Sequence, residues 1–323
     1  MINFLICFDE NYNDVAHLFF HTLLKSVSEK VNIFIIHQYP ESFSEITKKL
    51  MDHEKVNKIE IYKFDVDLSK FPEIIHGHIS EATYYRIFID KYLPEELDNI
   101  LYVDADILCY QDPIKAIKEE INKLNNSEFI VSARTEVFRE KPIEPHWERL
   151  GLKGSRYFNA GVLLINYKKW KKHNISKILE NKMIENRDTL LYWDQDVLNM
   201  TIDDQYIELS KSLNFDLYMS SINNNISALE TFGKEAVDQM IFLHYTGSFK
   251  PWTVRGAFNK KSIFYHDEYS ELFNKKYDIK NTWRTGAILE LLKGICNMQI
   301  RNLRYPLSFI YYTLLSLKKE VRK

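Results

Sequence analysis

Asp104 and Asp106 stand two residues apart, directly after the apolar run Ile100–Val103. Carboxylates at that spacing leave an extended backbone on the same side, and a divalent cation relieves their repulsion. The spacing alone is not diagnostic, because Asp65-Val66-Asp67 repeats it and a solvated turn would hold such a pair equally well. What singles out Asp104 and Asp106 is the apolar run that feeds into them. His244 similarly follows the run Met240–Leu243. A lone histidine there is ordinarily a packed one, but joined to two carboxylates it makes a mixed nitrogen and oxygen donor set, which favours Mn²⁺ over Mg²⁺. Beyond it, Gly247 lets the backbone turn tightly and Lys250 offers a cation to a phosphate, or is simply a surface lysine. Two further polar clusters have the same placement. Asp9-Glu10-Asn11-Tyr12 ends the first apolar run, and Trp193-Asp194-Gln195-Asp196 heads a helix, where acidic residues also serve as N-terminal caps.

Positioning these groups requires strands that end beside one another. Ile2–Phe8, Val31–His37, Lys58–Phe64, Asn99–Val103 and Glu128–Ser132 have strand patterns. Asn13–Ser28, Glu41–Asp52, Glu81–Leu93 and Pro113–Lys123 between them have helical ones. Strands apolar on both faces with crossover helices imply an α/β fold with a mostly parallel sheet. In such sheets ligands bind beyond the carboxyl ends of the strands, where the polar clusters fall.

The 323 residues leave room for a large core, and a net charge of −2 gives no electrostatic reason to expect nucleic acid. Three widely spaced cysteines, Cys7, Cys109 and Cys296, suggest neither a disulfide framework nor a zinc site and fit a reducing cytosol. The apolar N-terminus lacks the basic residues of a signal peptide and reads as a strand. Charge is uneven: Arg284–Lys323 holds eight basic and two acidic residues, a balance of +6 that leaves −8 on the rest. A boundary is expected near Thr282, giving residues 1–281 and a helical, basic tail at 282–323. In the tail, Ile288, Leu291, Leu292, Ile295 and Met298 share a helical face, and Pro306 opens a run to Leu317 that is too short to span a bilayer. Either an interfacial helix on anionic lipid or a helix packed on the body or another subunit accounts for it.

Six segments together resemble the family 8 retaining glycosyltransferases, especially bacterial enzymes that add α-linked galactose or glucose to lipopolysaccharide and other surface glycans. They are Asp9–Tyr12, His78–Arg86, Leu101–Asp106, Phe158–Trp170, Trp193–Asn199 and His244–Trp252, in the family's order over about residues 1–255. The resemblance implies a GT-A fold, a UDP-sugar donor, a glycan or glycolipid acceptor, and Mn²⁺ with Mg²⁺ as the substitute ion. It makes Asp9, Asn11 and Tyr12 the uridine-binding turn and Asp104, Asp106 and His244 the metal ligands. Gly247 and Lys250 then hold the leaving phosphates, while His78, Thr83, Arg86 and Asn159 join the donor site. Asp194, Gln195 and Arg86 fall at the reaction centre. The working place so implied is the cytoplasmic face of the inner membrane.

One stretch departs from the family's pattern. An aspartate near the acceptor is usual after the fifth strand, and this chain reads Val131-Ser-Ala-Arg134-Thr135-Glu136: either the acid is missing or Glu136 replaces it one position on. Two other functions compete with transfer. A membrane-surface scaffold that only binds nucleotide would have no need of every metal and phosphate position being filled. A nucleotidyltransferase needs a glycine-rich phosphate loop, and Ile2–Asn13 contains no glycine.

Overall fold

A computed structural model describes residues 1–74, 80–139, 145–216, 240–247, 250–259, 262–279, 287–303 and 305–321. The chain divides into two units, Met1–Asn214 and Phe215–Lys323. The boundary expected near Thr282 lies outside the described residues.

The first unit is built on a seven-stranded sheet. Its strands are β1 (Asn3–Phe8), β2 (Val31–His37), β3 (Val56–Lys63), β4 (Asn99–Val103), β6 (Val131–Phe138), β7 (Arg156–Asn166) and β8 (Ile207–Glu208), with β5 (Ile107–Cys109) outside that sheet. The order is β3-β2-β1-β4-β7-β6-β8. β1, β2, β3 and β4 run parallel and only β7 is antiparallel to its neighbours, so the sheet is mostly parallel. The apolar runs explain this: β1, β2, β4 and β7 are buried on both faces, which only a sheet covered on both sides provides. One cover is the helix Asn13–Ser26, which buries Val15, Ala16, Leu18, Phe19, Phe20 and Leu23. At the edge, β3 carries the exposed Lys58 and Lys63, charges that discourage further strand pairing.

From β1 the chain builds outward to β2 and β3, then returns to place β4 on the other side of β1. Parallel sheets bind ligands at such a reversal, here the carboxyl ends of β1 and β4. The register sets Phe4 beside Leu101 and Leu5 beside Tyr102, so Asp9 and Asp104 leave the same edge of the sheet.

Several elements differ in detail from their expected form. The segment Glu81–Leu93 is a 3-10 helix over Glu81–Phe88 followed by one α-turn, Ile89–Tyr92. Thr83, Tyr84, Tyr85, Ile87 and Phe88 are poor α-formers, and six of the eight 3-10 residues are buried, which no single amphipathic stripe would allow. The fifth main strand runs Val131–Phe138 rather than Glu128–Ser132. Arg134 and Glu136 look like strand breakers in a sequence, yet they lie within β6, at irregularities in its pairing with β7.

In the second unit, β9 (Phe215–Asp216) pairs in parallel with β10 (Phe242–His244), setting His244 beside Asp216. Helices Ile263–Phe273, Ala287–Cys296 and Pro306–Val321 follow. Val254, Ala257, Phe258, Tyr277, Ile279, Leu303 and Phe309 form the core of this unit. Gly294 permits the approach of Ala287–Cys296, because a Cβ there would meet the Phe258 ring at 2.4 Å.

Candidate functional site

At the end of β1, Asp9 caps a short 3-10 turn, Glu10–Tyr12: its Oδ1 accepts the Asn11 N–H at 2.9 Å. The Asn11 amide lies over the same carboxylate, and the Tyr12 N–H donates to the Asp9 carbonyl at 3.0 Å. The turn thus fixes Asp9, Asn11 and Tyr12 as one unit. Burial, followed by the nearby charges of Asp106, Asp9 and Asp104, pushes the Tyr12 phenol well above its ordinary range. The phenol therefore stays protonated beside the acidic pair.

Asp104 and Asp106 lie between β4 and β5, with Ala105 and Asp106 in a turn. Extended-strand alternation therefore does not aim the two carboxylates; the turn does. The Asp104 N–H donates to the Gly161 carbonyl at 2.8 Å, tying the turn to β7. Asp104 Oδ1 accepts from Tyr102 Oη at 2.6 Å and Arg86 Nη2 at 2.9 Å.

Arg86 is the hub of the first unit's polar residues. Its Nη1 donates to the Ala160 carbonyl at 2.6 Å, and its guanidinium lies over the Tyr102 ring at 4.2 Å. Nε donates to the Thr83 carbonyl at 3.3 Å and stands 3.0 Å from Asp194 Oδ2. Burial opposes the Arg86 charge, but Asp104 and Asp194 outweigh it and hold the guanidinium firmly protonated. Thr83 Oγ1 donates to Asp194 Oδ1. Desolvation raises the Asp194 carboxyl to about 6, with Arg86 and Thr83 pulling the other way. Thr83, Arg86, Asp104 and Asp194 are thereby brought into one network, 111 residues apart at their extremes in sequence.

Gln195 and Asn159 are joined through Glu136. Gln195 Nε2 donates to Glu136 Oε2 at 3.0 Å, and Gln195 Oε1 accepts the Ala160 N–H at 2.9 Å. Asn159 Nδ2 lies 3.3 Å from the same Glu136 oxygen, while Asn159 Oδ1 accepts from the Gly161 N–H and Asn214 Nδ2.

Asp196 plays another part. Fully buried, it accepts from Arg149 Nη1 and Nη2, Tyr157 Oη, and the Leu191 and Tyr192 N–H groups, at 2.7 to 3.2 Å. It pins the turn before the helix Trp193–Ile202, where Trp193 takes a φ of 42°, unfavourable for a bulky residue. The strained turn presents Asp194 and Gln195. Asn199, one helical turn on, both donates to and accepts from the Phe158 backbone, at 2.9 and 2.8 Å, and so locks this helix onto β7. Arg149, Tyr102 and the structural part of Asn199 escaped the sequence reading, because they act on groups distant in the chain and match no local motif.

In the second unit, β10 delivers a buried His244, followed by Gly247 at a φ of +68° with open space where a Cβ would sit. Lys250 is only 6% exposed, which removes the plain surface-lysine reading. Its Nζ donates to the Tyr245 carbonyl at 2.6 Å, folding the ammonium back over the turn. His78 lies outside the described residues.

The sequence model described as Glycosyl transferase family 8 matches residues 3–255. A lipopolysaccharide 1,3-galactosyltransferase of Salmonella typhimurium is 34% identical over 198 residues, 57% of this chain and 52% of that protein. A lipopolysaccharide 1,2-glucosyltransferase of Escherichia coli K12 is 26% identical over 218 residues, 66% of this chain and 61% of that protein. General stress protein A of Bacillus subtilis is 24% identical over 277 residues, 82% and 92% of the two chains. The match therefore spans little more than half the length of the two lipopolysaccharide enzymes. Among solved structures, the galactosyltransferase LgtC in complex with donor and acceptor sugar analogues superposes with a TM-score of 0.67 at 22% identity, covering 90% of this chain and all of that one. The glycosyltransferase GlyE of Streptococcus pneumoniae TIGR4, in its apo form, gives 0.55 at 19% identity, covering 92% of this chain and 64% of that one. These likenesses identify the fold as GT-A.

Proposed function

The chain belongs to glycosyl transferase family 8, and from that premise we propose that it moves a hexose, galactose or glucose, from a UDP-sugar to a surface-glycan acceptor such as lipopolysaccharide core, with retention of α-configuration. The observation that carries this reading is the Arg86 network: a buried cation that joins Asp104 to Asp194 at the sheet's carboxyl edge. Such a cluster is costly to bury, and charged groups perturbed in this way concentrate at functional sites.

Asp9, Asn11 and Tyr12 would take the uracil, since a fixed carboxylate accepts its N3–H and a phenol ring offers a stacking face. Asp104, Asp106 and His244 would hold Mn²⁺, and their oxygen and nitrogen donors fit that ion better than Mg²⁺. Asp104 and Asp106 both raise the nearby, half-buried Tyr12 phenol by their charge, and two carboxylates so placed are a pair whose repulsion a cation relieves. Bound there, the ion would supply Lewis-acid stabilisation of the departing diphosphate. The Gly247 amide and Lys250 would add electrostatic stabilisation as charge develops on the phosphates.

At the sugar, the forming centre is oxocarbenium-like. A double displacement needs an accessible carboxylate. Asp196 is saturated by five donors, Asp194 is committed to Thr83 and Arg86, and Glu136 is engaged by the Gln195 and Asn159 amides. Gln195 is a weak nucleophile, and its amide oxygen is suited to steadying positive charge. These features favour attack from the leaving group's own face. A covalent glycosyl adduct that turns over on wild-type protein would overturn that mechanism.

The C-terminal helices supply the membrane part of the proposal. Phe309 is buried in the core of the second unit, while Ile288, Leu292, Leu307 and Leu314 are exposed beside Lys293, Lys318 and Lys319. Packing on the body and an apolar, basic outer surface therefore coexist in one tail, and that surface suits anionic lipid. No helix among the described residues is long and apolar enough to cross a membrane. The proposed location is the cytoplasmic face of the inner membrane.

UDP release from a panel of UDP-sugars, with and without Mn²⁺, tests the activity. Mn²⁺-dependent release from one hexose donor, reduced at least about 100-fold in Asp106→Ala, is the expected result. Release from no donor, together with no Mn²⁺-dependent UDP binding, would favour the nucleotide-binding scaffold.

A further inference from the structure

The residue that holds the Gln195 amide is displaced from ordinary strand alternation. Along β6 and β7, Thr135 lies opposite Phe158 and Val137 opposite Tyr157, so Glu136 is an extra residue with no partner across the ladder. This is a β-bulge, a device that re-aims a side chain. The bulge is fastened from the other side. The Thr135 N–H donates to Glu208 Oε1 at 3.0 Å, and Thr135 Oγ1 is 2.7 Å from Tyr206 Oη.

The re-aimed Glu136 carboxylate decides which way two amides face. Its Oε2 accepts from Gln195 Nε2 at 3.0 Å and from Asn159 Nδ2 at 3.3 Å. Gln195 Nε2 has its second contact at Tyr157 Oη, 3.4 Å away, and Oε1 faces the Ala160 N–H. A carboxylate can only accept and a backbone N–H can only donate, so this pair of neighbours fixes the amide orientation chemically. An amide oxygen carries two lone pairs, and the Ala160 bond uses one. The second remains to face developing positive charge; a flipped amide would present N–H groups that repel it.

We propose that Glu136 is a positioning residue for glycosyl transfer: its carboxylate holds Gln195 with the amide oxygen, rather than the nitrogen, presented for the reaction. This rests on the reading of Gln195 as a reaction-centre residue. The bulge at Glu136 gives this carboxylate a place within β6 outside the strand's pairing with β7. It also gives the Asn159–Asn214 pair a fixed end through Asn159.

Two measurements separate this proposal from the transferase reading itself. In ¹⁵N-labelled protein, the Gln195 side-chain NH₂ signals are identified by their loss in Gln195→Met. Glu136→Gln removes a charge-assisted bond and should move those signals upfield while the folded spectrum persists. Unmoved signals overturn the proposal whether or not donor is turned over. In the UDP-release assay, Glu136→Gln should lower kcat about 10- to 100-fold, with donor KM changed less than about threefold, as misplacement of a reacting group does. Glu136→Asp, which keeps the acceptor charge, should restore most of the loss. Equal impairment of the Asp and Gln variants, or a loss carried by KM, makes Glu136 a packing or donor-binding residue and overturns the proposal. If the NMR signals move but the wild type releases UDP from no hexose donor, the transferase reading fails while the orienting bond stands.

Discussion

At the head of the helix Trp193–Ile202, two aspartates are almost wholly buried and are met by cations and hydrogen-bond donors from three distant segments. In the C-terminal helices the imbalance is reversed, with Leu307 81% and Leu314 59% exposed although neighbouring Phe309 is buried. Both arrangements cost stability that a free-standing fold would not spend. Buried charges lose hydration, and large apolar side chains in water forgo burial worth about 1.5–3 kcal/mol each. The difference lies in what recovers the cost. Under the proposed function, a small, charged substrate completes the first region and a lipid layer the second.

Removing the hub should have the largest effect. Arg86→Ala leaves the buried Asp194 and the partly exposed Asp104 without their shared cation. Loss of a buried partner of this kind costs about 3–5 kcal/mol, and UDP release should fall at least about 100-fold. Urea denaturation and the release assay read the two effects. Retained activity would mean that the network is architectural and the comparison misplaced.

The pH dependence sharpens the contrast between neighbouring aspartates. Desolvation raises Asp194 from 3.8 to about 6, so between those values the folded state holds a proton that the unfolded state has released. Stability from this residue therefore declines as pH rises through that window and is flat above it. Asp194→Asn lacks the transition. Its unfolding free energy relative to wild type should climb from pH 4 to pH 6 and then level off, whatever constant offset the lost Arg86 contact adds. Parallel curves would contradict the assignment.

The smallest expected change in stability tests the opposite region. Leu307→Asp with Leu314→Asp should alter folding by only about 0.5 kcal/mol, yet sharply weaken sedimentation with phosphatidylglycerol-rich vesicles. This pair is a cleaner probe than deleting residues 302–323, which would strip Phe309 and Leu303 from the core of the second unit. Unchanged vesicle binding would remove lipid as the partner of that surface.

The candidate site residues could be picked out in the chain because they cluster in short segments at the ends of elements: Asp9 to Tyr12 after β1, Asp104 to Asp106 after β4, and Asp194 to Gln195 heading a helix. Apolar runs of strand length alternating with amphipathic stretches likewise determined the α/β class, since burial on both faces follows from composition alone. Local pattern could not separate neighbouring residues of the same type. Asp194 and Asp196 look alike in sequence, and only the fold brings Arg149 and two backbone N–H groups to one and Arg86 to the other. Nor could it see that Glu136 would be extruded from β6, because a bulge is defined by the partner strand and not by the strand that carries it. Sequence by itself determined which groups are present and the edge of the sheet they reach. Tertiary structure decided which carboxylate is saturated, which is raised by burial, and which way the Gln195 amide faces, because desolvation and hydrogen-bond partnership depend on residues tens of positions away.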